Sequence, residues 1–439
     1  MTRFPKMGLI VLAVSVAALA GASAARAEPG LTTLVSIAST GEQVMGAGSQ
    51  QPSVSADGRF VTFITDASNV VPGDTNFAFD AFVRDRLTNE TTRVSVSSTG
   101  AEGDQGGGAT AISADGRFVA FTSGSTNLVA GDTNETSDAF VHDRLTGVTE
   151  RVSVSSTGAE GNLGSGATSI SADGRFVAFV SYATNLVDGD TNNTLDAFVH
   201  DRVTGVTDRV SVSSTGEQAD RFSEGAAISA DARFVAFQSF ATNLVAGDTN
   251  NGFDVFVHDL STGTTERVSV SATGAQGDFS SFAPSISGEG RFVAFSAVAT
   301  NLVVGDTNGT VDAFVRDRAS GTTERVSVST AGAQANERCD LPSISADGTR
   351  VAFQSLSTTL VERDTNGLDD IFVHDLTTGE TRRVSVFTPS PFSPGLQGNG
   401  SSQNAAMSAD GTLVAFDSNA RLVQPDTNGW RDVFAHELG

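Results

Sequence analysis

Apolar and polar positions follow the pattern of short strands, and the repeated part of the chain carries no amphipathic helical spacing. One stretch serves as the example. Ala109 to Ser113 is a strand-like run closed by a tight Ala114-Asp115-Gly116 turn. Arg117 to Ser123 follows, apolar on both alternating faces, with Phe118 and Ala120 on one and Val119 and Phe121 on the other. Asp138 to Arg144 is nearly as apolar, and Thr149 to Ser155 alternates Val with Ser and Arg. Runs rich in Val, Phe, Ile, Ser and Thr between Gly and Asp are strands. A strand apolar on both faces needs cover on both sides, whereas an alternating one can touch water. The pattern therefore predicts four strands, graded from a buried inner position to a half-solvated outer edge.

The example recurs. Asp57, Asp115, Asp173, Asp231, Glu289, Asp347 and Asp410 hold the same place in successive segments, 58 residues apart except for a last interval of 63. Fixed periods of this length mark a solenoid, a propeller or an array. Four-stranded sheets needing cover on both faces, repeated around a ring, describe a β-propeller. Complete sets of the first three strands occur seven times, the last from Ala405 to Glu437. A lone fourth-strand segment, Thr32-Thr33-Leu34-Val35-Ser36-Ile37, stands near the other end. The expected fold is all-β: a seven-bladed β-propeller with four antiparallel strands per blade, in which this N-terminal strand completes the C-terminal blade. Such closure leaves no open sheet edge. An open β-solenoid is the alternative.

Ser-Ala-Asp-Gly-Arg-Phe-Val-Ala-Phe followed by Asp-Ala-Phe-Val resembles the TolB-type, WD-repeat-like propeller repeat of bacterial exported proteins. The resemblance covers residues 32–437 and implies the propeller fold. It implies little about activity, because propellers of that type serve many roles. A separate N-terminal domain of the kind TolB carries is not expected here.

A blade of this kind needs ~40–45 residues, and these have more. The surplus lies after the second strand (Gly124 to Ser137) and in the connection to the next blade (Ser156 to Gly166), and both loops should leave the same end of the sheet. The tight turns and the Thr146-Gly147 hairpins leave the other. One face is plain and the other decorated, and loops carry function more often than strands.

At the N-terminus, Arg3 and Lys6 precede an apolar run from Met7 to Ala20 and then Ala25-Arg26-Ala27. This is a cleavable signal peptide over residues 1–27, leaving 28–439 as a single propeller in the periplasm or outside the cell. The run is shorter than the roughly 20 residues a membrane span needs, so no membrane insertion is expected after cleavage. The formal net charge is −24, and loss of Arg3, Lys6 and Arg26 makes it more negative. That sign disfavours nucleic acid and anionic membrane as partners. One cysteine, Cys339, excludes an intrachain disulfide and any thiolate-cluster metal site.

Asp-Thr-Asn-x-x-x-Asp occurs seven times: Asp74/Asn76/Asp80, Asp132/Asn134/Asp138, Asp190/Asn192/Asp196, Asp248/Asn250/Asp254, Asp306/Asn308/Asp312, Asp364/Asn366/Asp370 and Asp426/Asn428/Asp432. Oxygen ligands at this spacing can converge on a hard cation, so calcium is the one cofactor suggested. The same residues can equally satisfy loop N–H groups through Asx-turns. Both readings stand at this point. The motif also resembles the latter part of thrombospondin-like calcium loops, but lacks their first acidic ligand.

All five histidines share one repeat position (His142, His200, His258, His374, His436), where blades 1 and 5 have Arg84 and Arg316. Guanidinium has no lone pair for a metal, so the position reads as polar packing or an ion-pair partner of the adjacent acid. No serine stands in a non-repeated His and carboxylate setting, and near-identical blades offer few of the unlike residues that catalysis requires. Enzyme status stays open, with the balance against it.

Deviations from the repeat carry the specificity. On the decorated face these include Tyr182, Arg221, Phe222, Phe240, Phe253, Phe279, Phe282, Arg338, Trp430 and Arg431, and an insertion from Thr388 to Gly400. The aromatic residues either form an exposed patch for a partner or fold back as loop plugs. The sequence thus points to a monomeric, exported, non-enzymatic interaction or scaffold module, binding a protein or extracellular polymer through its long-loop face. The alternative is a hydrolase or lyase acting on a polymer in the central pore, which polar outliers converging in the channel would favour.

Overall fold

The computed structural model describes residues 30–46, 48–388, 396–424 and 426–439. Residues 1–27, expected as the signal segment, and most of the insertion (389–395) lie outside the described residues. Every regular element among the described residues is a strand, and none of their helices is long and apolar enough to cross a membrane, there being none.

Seven four-stranded antiparallel sheets form the blades. Blade 1 comprises Ser49–Val54, Phe60–Thr65, Asp80–Asp85 and Glu90–Arg93. Blade 2 comprises Gly107–Ile112, Phe118–Ser123, Asp138–Asp143 and Val148–Arg151, and blades 3 to 6 repeat that order. Blade 7 takes Ser402–Met407, Leu413–Ser418 and Asp432–Glu437 from the C-terminal end and Thr32–Leu34 from the N-terminal end. The expected closure is present: Thr32 pairs with His436 and Leu34 with Phe434. A short hairpin, Val386–Phe387 with Leu396–Gln397, lies between blades 6 and 7.

Register explains the core. Second and third strands pair so that Phe121 faces Phe140, and the equivalent pair stacks in every blade at 5.6–6.0 Å between ring centroids. Each pair adds about 0.5–1.5 kcal/mol beyond burial. Clusters spanning adjacent blades bury these faces; Phe121 and Phe140 pack with Ile64 and Val83 of blade 1.

Two expectations are corrected. The second and third strands, not the innermost, are the buried ones, because the inner strand lines the channel and is partly exposed. The fourth strand ends at Arg151 rather than Ser155. Ser153 turns inward to donate to Asp138 Oδ1 at 2.6 Å, which takes the chain out of the ladder.

The inner turns ring one end of the channel. Their backbones are joined in a circle, Ala56 N–H to Ala114 O, Ala114 to Ala172, Ala172 to Ala230, Asp231 to Gly288, Gly288 to Ala346, Ala346 to Ala409 and Asp410 back to Ala56, at 2.8–3.2 Å. Val54, Ile112, Ile170, Ile228, Ile286, Ile344 and Met407 line the small cavity there, about 210 Å³. The side chains at this end are apolar and nearly seven-fold uniform.

Candidate functional site

The long-loop end is different. Each inner strand carries a bulge there, with positive φ at Gln51, Ala109, Gly225, Ala283, Leu341 and Asn404. A bulge turns one N–H out of its own ladder, and side chains from the preceding blade accept several of these. Gln51 N–H reaches Asp417 at 3.1 Å, Ala283 reaches Gln238 at 2.6 Å, Leu341 reaches Ser296 at 3.1 Å and Asn404 reaches Gln354 at 3.1 Å. The bulges border a cavity of about 380 Å³ that includes Gln51, Thr110, Leu341 and Asn404.

Unlike residues gather around this mouth in two sectors. Blades 6 and 7 carry charges. Arg338 donates to Asp340 at 2.7 Å and to both oxygens of Asp369 at 2.7 and 2.9 Å. Gln403 links Asp369 (2.9 Å) to Arg431 (3.0 Å), and Arg431 donates to Asp417 at 2.8 Å. Asn404 adds a bond to Asp417 at 2.8 Å. Burial holds the Asp417 carboxyl above its ordinary pKa despite Asn404 and Arg431. The inner strands are therefore not uniform, contrary to the sequence expectation, and Asp340, Asp369, Gln403, Asn404 and Asp417 are site residues it missed. They stand at several different positions of the repeat in blades 6 and 7, so no recurring pattern marks them.

The other sector, blades 3 to 5, is aromatic. Phe222 and Phe240 stack at 5.8 Å, Phe253 meets both edge-on at 5.1 and 5.4 Å, and the Arg221 guanidinium lies 5.4 Å from the Phe240 ring. This trio is partly buried, a loop plug with one open side. Tyr182 (53%) and Phe279 (57%) are exposed, Phe282 is partly buried, and Trp430 (49%) stands apart on blade 7. Phe77, also missed, is 80% exposed at φ 54°. The other blades place Glu135, Asn193, Asn251, Gly309, Gly367 and Gly429 there, so a bulky residue in a left-handed position was the available signal.

The Asp-Thr-Asn-x-x-x-Asp residues form the seam between blades. Asn134 accepts the Thr136 N–H (3.0 Å) in an Asx-turn and donates to Asp138 (3.1 Å) and to the Gly161 carbonyl of the connection (2.8 Å). Thr133 N–H and hydroxyl both bind Glu160. Arg151 of the fourth strand inserts among Asp132, Asp138 and Glu160. Blade 1 repeats this with Asp74, Asn76, Asp80, Arg93 and Glu102. In blades 3 to 6 a glutamine replaces the glutamate, and its amide donates to both carboxylates. Gln218 reaches Asp190 and Asp196, Gln276 reaches Asp248 and Asp254, Gln334 reaches Asp306 and Asp312, and Gln397 reaches Asp364 and Asp370, all at 2.6–3.2 Å. Their Asn192, Asn250, Asn308 and Asn366 make the same bonds as Asn134. Blade 7 pairs Asp426 and Asp432 with Asn428 and Gln43, but Leu34 stands where the arginine would be, and burial pushes Asp432 up to about 6.

Each histidine is a packing residue. Its Nδ1 lies 2.8–2.9 Å from a fourth-strand threonine hydroxyl, as in His142 with Thr149 and His436 with Thr32. The adjacent acid is not its ion partner: Asp143 is held bidentately by Arg117. Cys339 is fully buried against Ser355 at 3.1 Å, and burial raises its thiol pKa.

No family model matches the chain, and no curated protein matches it. Solved structures do. The β-propeller domain of the Trilobed protease from Pyrococcus furiosus, described as having an open velcro topology, aligns over 89% of this chain and 93% of its own at 12% identity, with a TM-score of 0.54. An oligogalacturonate lyase in complex with manganese aligns over 90% and 91% at 12% identity, TM-score 0.53. TolB from Acinetobacter baumannii aligns over 69% of this chain at 17% identity, TM-score 0.39, and this chain spans 61% of that TolB's length. Similarity at these identities establishes the fold. The chain is a seven-bladed β-propeller with a ring closed by its N-terminal strand.

Proposed function

We propose that the chain is an exported, non-enzymatic propeller that binds a protein or extracellular polymer at the long-loop end of its channel. The observation that supports this most is the division of that mouth into an aromatic and a charged sector, over a channel whose other end is nearly seven-fold uniform and ringed by the backbone circle. Asymmetry confined to one end of a symmetric scaffold is where a single partner orientation is selected. Each carboxylate of the charged sector is already hydrogen-bonded to an arginine, which suits recognition better than proton transfer. The test uses the mature protein with Tyr182→Ser and Phe279→Ser, two exposed side chains whose loss should leave the thermal midpoint unchanged. Cross-linking in envelope or culture extracts, and mobility in gels holding soluble polymers, should show a partner of the wild type that the double variant retains at least about tenfold less. Equal retention by both proteins would overturn the reading.

One observation favours the second reading, a hydrolase or lyase acting on a polymer in the pore: polar outliers converge beside its mouth, at Arg338, Asp369, Gln403, Asp417 and Arg431. Polymer cleavage by the wild type that disappears in Asp417→Asn would establish it.

A further inference from the structure

The seven seams differ in one respect that the repeat itself exposes. In blades 3 to 6 a glutamine amide donates to both aspartates. In blades 1 and 2 that residue is Glu102 or Glu160, which removes both donors and adds a third carboxylate. Asp74, Asp80 and Glu102 lie with ligand oxygens within 4.8 Å of one another, and so do Asp132, Asp138 and Glu160. The consequence is visible in the unpaired atoms. Both oxygens of Asp74 and Oδ1 of Asp132 are buried without a hydrogen bond, although the two side chains are 1% and 3% exposed. Among the described residues no seam carboxylate of blades 3 to 6 is orphaned; there the unpaired atoms are guanidinium nitrogens of Arg209, Arg267, Arg325 and Arg383, and the Nε of Arg93 and Arg151 is unpaired in blades 1 and 2 as well. Blades 1 and 2 are short of positive charge, with three carboxylates around one guanidinium.

We propose that each of these two seams binds one calcium ion, through Asp74, Asp80 and Glu102 in blade 1 and Asp132, Asp138 and Glu160 in blade 2. The surplus of two negative charges matches a divalent cation, all donors are hard oxygens, and a cluster of flexible carboxylates without octahedral order suits calcium better than magnesium. Arg93 is the internal competitor. Its Nη1 touches Glu102 and lies 3.2 Å from Asp80 and 3.7 Å from Asp74, and Arg151 is placed likewise in blade 2, so the ion enters only when this guanidinium swings away from the carboxylates; its other nitrogen already rests on the Gly73 carbonyl at 3.2 Å near the surface. Affinity is accordingly expected in the 10⁻⁴–10⁻³ M range of extracellular calcium modules. These sites are separate from the partner-binding mouth, and either can fail without the other.

The experiment compares the mature wild type with Glu102→Gln/Glu160→Gln, which installs the residue that blades 3 to 6 already fold with. Equilibrium dialysis at 5 mM calcium should find two ions per wild-type chain, one in Glu102→Gln alone and none in the double variant. The wild-type thermal midpoint should rise by about 3 °C in 5 mM calcium and fall back with chelator, with no response in the double variant. Absence of bound calcium in the wild type, equal binding by the double variant, or an equal rise with 5 mM magnesium would each overturn the proposal.

Discussion

At the scale of single residues, the repeat makes each departure a controlled comparison. The inner turn has glycine in six blades at φ 67–74°, whereas blade 4 has Ala232 at φ 58°. An L-residue in that region costs roughly 1–2 kcal/mol, partly offset by the entropy that glycine loses on folding. Ala232→Gly should therefore stabilise the protein by about 0.5–1 kcal/mol in denaturant titration. The reverse change, Gly116→Ala, should cost more than that, because the added Cβ would lie 2.0 Å from the Phe60 ring. His436 gives a pH prediction. Burial, and then the nearby Arg382, lower its pKa from 6.5 to about 4. The folded state thus resists a proton that the unfolded chain accepts between these values. The stability owed to the neutral ring is intact above pH 6.5 and is lost as pH falls toward 4, on the order of 3 kcal/mol. Comparison with His436→Gln cancels the carboxylates common to both proteins. The wild-type advantage should shrink across that window, and a difference independent of pH would contradict the account.

At the scale of elements, the Asp-Thr-Asn loop is a seam that ties one blade's fourth strand to the next blade's entry. The sequence displays its repetition but not its partners, since Arg93 lies 13 residues from Asp80 and Glu102 lies 22 residues away. Spacing alone therefore left capping and cation binding open. Strand positions were legible because their apolar periodicity is local. The early end of the fourth strand was not, because it depends on Ser153 meeting a carboxylate 15 residues back. Blade 7 tests the seam's electrostatics. Leu34 occupies the arginine position opposite Asp426 and Asp432, and Asp432 is fully buried with its pKa raised to about 6. Leu34→Arg should supply the missing counter-charge, lower that pKa, and stabilise the protein by about 1–2 kcal/mol at pH 7.5. The gain should diminish below pH 6, where the wild-type carboxyl is protonated and no longer needs a partner. Unfolding titrations of both proteins at pH 7.5 and pH 5 measure it.

At the scale of the molecule, the ring depends on one three-residue strand. The count of strand sets made closure readable from the sequence, but the two-sector mouth was invisible, because its charged half is joined only where Gln403 of blade 7 reaches Asp369 of blade 6 once the two blades stand side by side. Closure joins elements about 400 residues apart: Thr32–Leu34 pairs with Asp432–Glu437, Ser36 donates to Asp432 at 2.7 Å, and Thr32 bonds His436 at 2.9 Å. Removing residues 28–37 would leave the third strand of blade 7 as an open edge and deprive Asp432 of its hydroxyl donor and His436 of its partner. An unpaired edge of six buried residues seeks another chain. The truncated protein should therefore unfold at a lower temperature and form dimers or larger species in light scattering, while the mature protein stays monomeric. A synthetic peptide of residues 28–44 should restore both the midpoint and the monomer, because it returns the same backbone ladder without the covalent link. Truncation that changes neither quantity would mean that the backbone circle at the apolar end and the blade-to-blade packing hold the ring by themselves.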